Sequence, residues 1–187
     1  MSTRAASKCR TLAALVAVLL GSQAGLESQG AVTQPALKAA FLYNFAKFAQ
    51  WPGDPVPSSP ITLCVLDDAS VEDALGQLVN GGLVNGRAVT ILRGTHNRSL
   101  RGCHVLYFGD TDPGRAIAIL DELKNAAVLT VADGDQFPRN GGMVGLFIED
   151  GRMRFAINAD AAQRVGVRLS SRLLSLAKLV KDTHANP

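Results

Sequence analysis

Clustered metal ligands are missing. The 187 residues hold three histidines, His96, His104 and His184, far apart in the chain, and three cysteines, Cys9, Cys64 and Cys103, with no paired spacing among them. A zinc centre needs nitrogen and sulfur ligands grouped at short intervals, so no metal site is expected. A Gly-x-Ser-x-Gly nucleophile elbow is also absent. Gly81, Gly82 and Gly86 lie between a helical and a strand pattern with no Lys-Ser/Thr after them, the wrong context for cradling phosphate. Without a nucleophile beside a base, the chain reads as a non-enzyme with no catalytic residue and no cofactor.

Nor is there an apolar run long enough to span a bilayer, which takes about 20 residues. The best candidate, residues 12–20, follows Arg4, Lys8 and Arg10 and gives way to Gly21, Ser22 and Gln23. A basic flank, a short apolar run and small residues are the three parts of a secretory signal peptide, and Ser22-Gln23-Ala24 fits its small-x-small cleavage site. Residues 1–24 are therefore expected to be removed after Ala24. Cys9 precedes the apolar run, so it is no lipid-acceptor cysteine, and the mature chain is expected to carry no membrane anchor.

Excess positive charge goes with the leader. Three of the 19 Lys and Arg lie there and none of the 16 Asp and Glu, leaving 16 against 16. A neutral mature chain argues against a nucleic-acid partner, since displacing counterions from phosphate takes a surplus of cations. The balance is uneven along the chain, with 8 basic and 12 acidic residues over 25–138 but 8 basic and 4 acidic from Arg139 onward. A cationic last third suits an anionic partner or ligand; the plain alternative is ordinary solvated Arg and Lys.

The remaining residues suit one domain, placed at 33–182. Leu37, Phe41, Phe45 and Phe48 share a face of a helix over 33–50, stopped at Trp51-Pro52. A proline-rich linker leads to a buried strand at 61–67, then a helix at 71–79, a Gly/Asn turn through Gly86, and strands at 88–92 and 103–108. Pro113 opens a helix to about Lys124, and a fourth strand covers 127–131. Alternation of this kind implies a largely parallel sheet with helices on both faces. Residues 143–149 and 152–157 flank Asp150-Gly151, a strong hairpin signal. Asn158 is placed to cap a short helix ending at Gly166. Ser170 or Ser171 is placed to cap a last helix that carries Leu173, Leu174, Leu176, Ala177 and Val180. The fold class is thus α/β, a single domain with a C-terminal antiparallel hairpin added.

Asp67 and Asp68 end the first strand, Asp110 follows the third, and Thr130 lies near the end of the fourth, so that in a doubly wound sheet they converge at one edge. The set looks like the acidic pocket of a phosphoacceptor receiver. Two features oppose this: Glu149 and Asp150 stand where a receiver needs a basic residue, and an exported protein has no ATP-driven phosphorelay around it. Carboxylates at strand ends read better as helix caps.

With the leader removed, Cys64 and Cys103 remain, and an even count in an oxidising compartment suggests one bridge. In a strand order 2-1-3-4 their strands are neighbours at about 4.8 Å, within disulfide range. The alternative is two buried apolar thiols.

Read together, KAAFLYNFAKFAQWP (38–52), ITLCVLDD (61–68), CHVLYFG (103–109), VLTVAD (128–133), GGMVGLFIEDGRMRFAIN (141–158) and GVRLSSRLLSLAKLV (166–180) resemble the YfiR family of periplasmic proteins in order and spacing. The resemblance implies a periplasmic regulator that restrains the sensory part of an inner-membrane diguanylate cyclase and so lowers cyclic-di-GMP output and biofilm formation. It also implies a homodimer, and an outer-membrane lipoprotein of the OmpA type as a sequestering partner. Related domains joined to sensor kinases keep open an alternative, a periplasmic small-ligand sensor acting on a kinase or another membrane receptor. Cys64 and Cys103 match the family's cysteine positions in the first and third strands, which supports pairing them. Some members carry a further cysteine pair near the C-terminal hairpin; residues 141–157 here contain none.

Two surfaces stand out within the matched stretches. Most rings of the first helix are expected to pack on the sheet, with Phe41, Tyr43 and Trp51 the candidates for self-association. Arg152 and Arg154 share one side of the hairpin by the period of two, and Arg168 and Arg172 follow at helical-cap spacing. The planar guanidinium fork suits carboxylates and phosphates, so these four are the candidate contacts to an acidic partner or a small anion. Surface salt bridges are the plain alternative.

Overall fold

The computed structural model describes residues 33–53, 59–93 and 99–183; the expected signal peptide lies outside them. Helix α1 (Gln34–Phe48) begins at Thr33, whose Oγ1 accepts from the Ala36 N–H at 3.4 Å, with Pro35 in the first turn, where a missing donor does little harm. Its fully buried stripe is Ala39, Leu42, Phe45 and Ala46, rotated from the expected aromatic face. Alanines let the helix backbone approach the sheet, and Phe41 and Phe48 flank the contact half-buried. Strand β1 (Ala49–Gln50) pairs antiparallel with β9 (Arg168–Leu169) in a separate two-stranded ribbon.

The main sheet is built from β2 (Ile61–Leu66), β3 (Leu83–Val84), β4 (Arg87–Leu92), β5 (Val105–Phe108), β6 (Leu129–Asp133), β7 (Val144–Glu149), β8 (Arg152–Ile157) and β10 (Lys178–Leu179), in the order β10-β8-β7-β6-β5-β2-β4-β3. Strands β4, β2, β5 and β6 lie side by side in parallel, the expected 2-1-3-4 order, and β7–β8 is the antiparallel hairpin turning at Asp150-Gly151. The remaining helices are α2 (Ala69–Leu78), α3 (Pro113–Leu123), α4 (Ala159–Arg164) and α5 (Ser171–Leu174). Strand alternation divides the core between two faces. Leu63, Val65, Val105, Tyr107, Leu129, Val131 and Phe155 pack with α1 and α2, whereas Cys64, Leu66, Leu106, Phe108 and Ala132 pack with Ile119 and Leu123 of α3.

Cys64 and Cys103 form a disulfide, with their Cα atoms 5.9 Å apart and both residues buried. The bridge ties β2 to the chain entering β5.

Two departures from the sequence reading arise at the edges of the main sheet. Asn85 and Gly86, both at positive φ, make a tight hairpin that adds β3 to the outer edge of β4, where the sequence suggested only a turn. The last helix, expected to run through Val180, is a single turn capped by Ser170, whose Oγ accepts from the Leu173 N–H. After it the chain straightens and β10 pairs parallel with β8, the Val180 N–H donating to the Ile157 carbonyl at 2.9 Å. Backbone groups of β8 open at the sheet edge are satisfied this way, which outweighs the helical spacing of the leucines. Leu176 and Leu179 are left exposed in consequence.

Candidate functional site

The carboxyl ends of β2 and β5 frame the point where the chain's crossovers diverge, α2 packing on one face of the sheet and α3 on the other. Open α/β sheets bind ligands in that crevice. Here it is filled from within. Asp67, held at φ 53°, accepts on Oδ2 from the Thr111 hydroxyl at 2.8 Å and from Arg115 Nη1 at 2.9 Å. Asp68 caps α2 through the Val71 N–H, and Asp112 caps α3 through the Arg115 N–H, both at 3.0 Å. The Gly109 N–H donates to the Leu66 carbonyl, and a Cβ at Gly109 would fall within 3.0 Å of Asp68 Cβ and of the Leu66 and Asp67 carbonyl oxygens.

Thr130 does not join this edge, contrary to the sequence reading. Strand β6 starts and ends two residues later than expected, so Thr130 is its second residue and Asp133 its last. Asp133 receives Lys38 Nζ at 2.6 Å and the Tyr107 hydroxyl at 3.0 Å. Burial, reinforced by the adjacent Asp133 charge, pushes the Tyr107 phenol well above its ordinary value. The cation that sequence spacing did not supply after β7 comes instead from α1. Among the described residues, no group of three or more His, Cys, Asp or Glu is placed to hold a metal ion.

The four candidate arginines separate into two pairs. Phe155 packs against Phe41 and Phe45 of α1, with ring centroids 5.7 and 5.4 Å away, so the alternating Arg152 and Arg154 project from the other face of the sheet. Arg154 lies 3.8 Å from Glu149 in a half-exposed pair that adds little stability. Arg172 instead sits over the Phe48 ring on the α1 side, 5.8 Å from its centroid, and Arg168 lies opposite Gln50 in the β1–β9 ribbon.

Arg168 has the more built surroundings. It lines two clefts, one of about 390 Å³ with Lys47, Gln50, Asn85 and Ser170, the other of about 510 Å³ with Pro52, Gln163 and Leu174, and among the described residues no carboxylate lines either. The carbonyls closing α1 are already occupied, Lys47 O by Asn85 Nδ2 at 3.3 Å and Phe48 O by the Ser170 N–H at 2.9 Å. Lys47 and Arg168 are the charged residues among those described that line the first cleft. This corner suits a planar anion such as a carboxylate.

Of the rings named for self-association, Trp51 is 7% exposed; its Nε1–H donates to the His104 carbonyl at 3.1 Å and its ring stacks edge-on against the His104 imidazole. Tyr43 donates to the Leu83 carbonyl at 3.1 Å and is half-buried, as is Phe41. Only Tyr43 and Phe41 of the three thus keep appreciable surface. No helix among the described residues is long and apolar enough to cross a membrane.

A main α/β sheet with an inward-paired acidic edge, a bridge from β2 to the chain entering β5 and a C-terminal hairpin is the framework on which the family motifs lie. A family model described as YfiR/HmsC-like matches residues 35–178, from the first turn of α1 to the start of β10. The match runs through every long strand and helix of the domain, and the chain belongs to the YfiR/HmsC-like family.

Proposed function

We propose that this protein binds and restrains the sensory part of a membrane-bound diguanylate cyclase from the periplasm, lowering cyclic-di-GMP output. Family membership over residues 35–178 carries the reading, because the family supports a periplasmic regulator in cyclic-di-GMP signalling rather than a catalyst. A disulfide between Cys64 and Cys103 fits an oxidising compartment. Cleavage after Ala24, a homodimer using Phe41 and Tyr43, and sequestration by an OmpA-type outer-membrane lipoprotein belong to the same proposal.

The test is direct binding between the mature protein and the periplasmic segment of a GGDEF-containing membrane protein encoded beside it. Retention is expected, and failure to bind refutes the assignment. Because Arg154 and Arg172 lie on different faces, Arg154→Ala and Arg172→Ala report separately. If either pair meets the partner, one substitution should weaken binding about ten-fold with thermal stability unchanged. Unchanged affinity in both removes the arginines from the interface.

A second reading, a small-ligand sensor acting on a sensor kinase or other membrane receptor, is favoured by the two clefts beside Arg168, which among the described residues no carboxylate lines. Thermal stabilisation by a small anion, lost in Arg168→Ala, is its expected signature.

A further inference from the structure

At the amino ends of β6 and β7, the opposite end of the strands from the acidic edge, a third cleft of about 380 Å³ opens between the end of α3 and α4. Its floor is buried and mostly apolar, with Leu123, Val128 and Met143. Its rim is exposed and cationic, with Arg164 and with Lys124, whose ammonium lies 3.2 Å from Asp121 in an exposed pair, and among the described residues no carboxylate lines it. Helix ends usually bring negative carbonyls to such a place, but here several are occupied. Glu122 O accepts from Arg101 at 2.6 Å, Leu123 O from the Ala126 N–H and Ala162 O from the Val167 N–H. Arg164 binds Asp182 through one terminal nitrogen at 2.6 Å, which leaves further donors of its fork to the cleft.

Thr130 makes this more than a surface depression. It lines the cleft and is only 2% exposed, and its hydroxyl is a buried side-chain polar atom with no hydrogen-bond partner among the described residues. An unpaired buried hydroxyl is unfavourable, and valine would fill the same volume without that penalty. A molecule seated in the cleft would be placed beside that hydroxyl and could supply the missing partner.

We propose that this cleft binds a small organic carboxylate whose far end carries a hydroxyl group. Lys124 and Arg164 hold the carboxylate at the rim, the apolar body lies against Leu123, Val128 and Met143, and the hydroxyl reaches Thr130 Oγ1. No covalent step is involved. The inference is independent of the partner reading, because the site shares no residue with the two arginine pairs.

A suitable probe is 4-hydroxyphenylacetate, with phenylacetate as the analogue lacking the hydroxyl. Titration of the disulfide-intact mature protein, followed through its backbone amide resonances, should give saturable shifts at Asn125, Thr130, Gly141 and Arg164. For a ligand of about eleven non-hydrogen atoms the dissociation constant should be about millimolar. Phenylacetate should bind about ten-fold more weakly. Lys124→Gln should weaken both probes to a similar degree. Thr130→Val should erase the difference between them while melting no lower than the parent, a split that a purely structural threonine would not produce. Shifts centred on Arg168, a response that never saturates, or a Thr130→Val variant that still distinguishes the probes would each overturn the proposal.

Discussion

Reducing the bridge between Cys64 and Cys103 should cost the fold a large and calculable share of its stability. The cysteines are 39 residues apart in sequence and both are buried. Restricting the unfolded chain by a loop of that length gives about 13 cal/mol/K, or about 4 kcal/mol at 25 °C, the upper end of the usual range. The enclosed segment contains β2 in part, α2, β3 and β4, so the reduced chain must close these against β5 by non-covalent contacts alone. Urea unfolding followed by far-ultraviolet circular dichroism, with and without prior reduction in denaturant, measures the effect. With a denaturant slope of about 2 kcal/mol/M, the midpoint should fall by about 2 M on reduction. Free-thiol titration of the denatured, unreduced mature protein is the necessary companion and should find none. Two titratable thiols, or a midpoint shift below about 0.5 M, would refute the reasoning.

Asn158 is fully buried, its Oδ1 capping α4 through the Ala161 N–H at 3.0 Å and its Nδ2 donating to the Pro138 carbonyl at 2.9 Å and to Asp182 at 2.5 Å. Asn158→Ala removes the cap and strands these acceptors, so unfolding measurements should show a loss of about 2 to 4 kcal/mol; a loss below about 1 kcal/mol would contradict the role. Tyr107 holds its phenolic proton above the ordinary value of 10.0, so above that pH the unfolded chain deprotonates first and stability falls as pH rises. Urea midpoints followed from about pH 9 to about pH 11 should therefore drop more steeply in the parent than in Tyr107→Phe, and parallel slopes would count against the burial argument.

The parallel strands were legible because β2, β5 and β6 are short apolar runs bounded by turn and capping residues, and a sheet covered on both faces needs such runs. Asp68 and Asn158 did signal helix starts, each accepting from a backbone N–H three residues on, and Pro113 marked the first turn of α3. What failed depended on partners far away in sequence. Leu173 to Val180 has helical spacing, yet the unmet edge of β8 decides its conformation, and no local pattern reports an unmet edge. Thr130 was misplaced by a two-residue shift in the bounds of β6, enough to carry it from one end of the strand to the other. Asn85-Gly86 is a hairpin dipeptide, but the strand before it is only two residues long and too short to show a period of its own. For the arginines, the period of two located Arg152 and Arg154 on one side of the hairpin, but their separation from Arg168 and Arg172 follows from the ribbon that folds the chain back on the end of α1.

Asp67, Gly109 and Arg115 also govern where this domain can be influenced. An α/β sheet ordinarily receives its chemistry through the loops beyond its strand tips, which are free to remodel around whatever arrives. Here those loops are fastened to one another by an internal ion pair, a glycine contact with no room for a methyl group, and two aspartate caps, so the usual doorway acts as a clamp. The open clefts lie instead on the flanks, at the corner beyond α1 and beneath the ends of α3 and α4, so a ligand drawn there would press on helix ends and not on strand-tip loops.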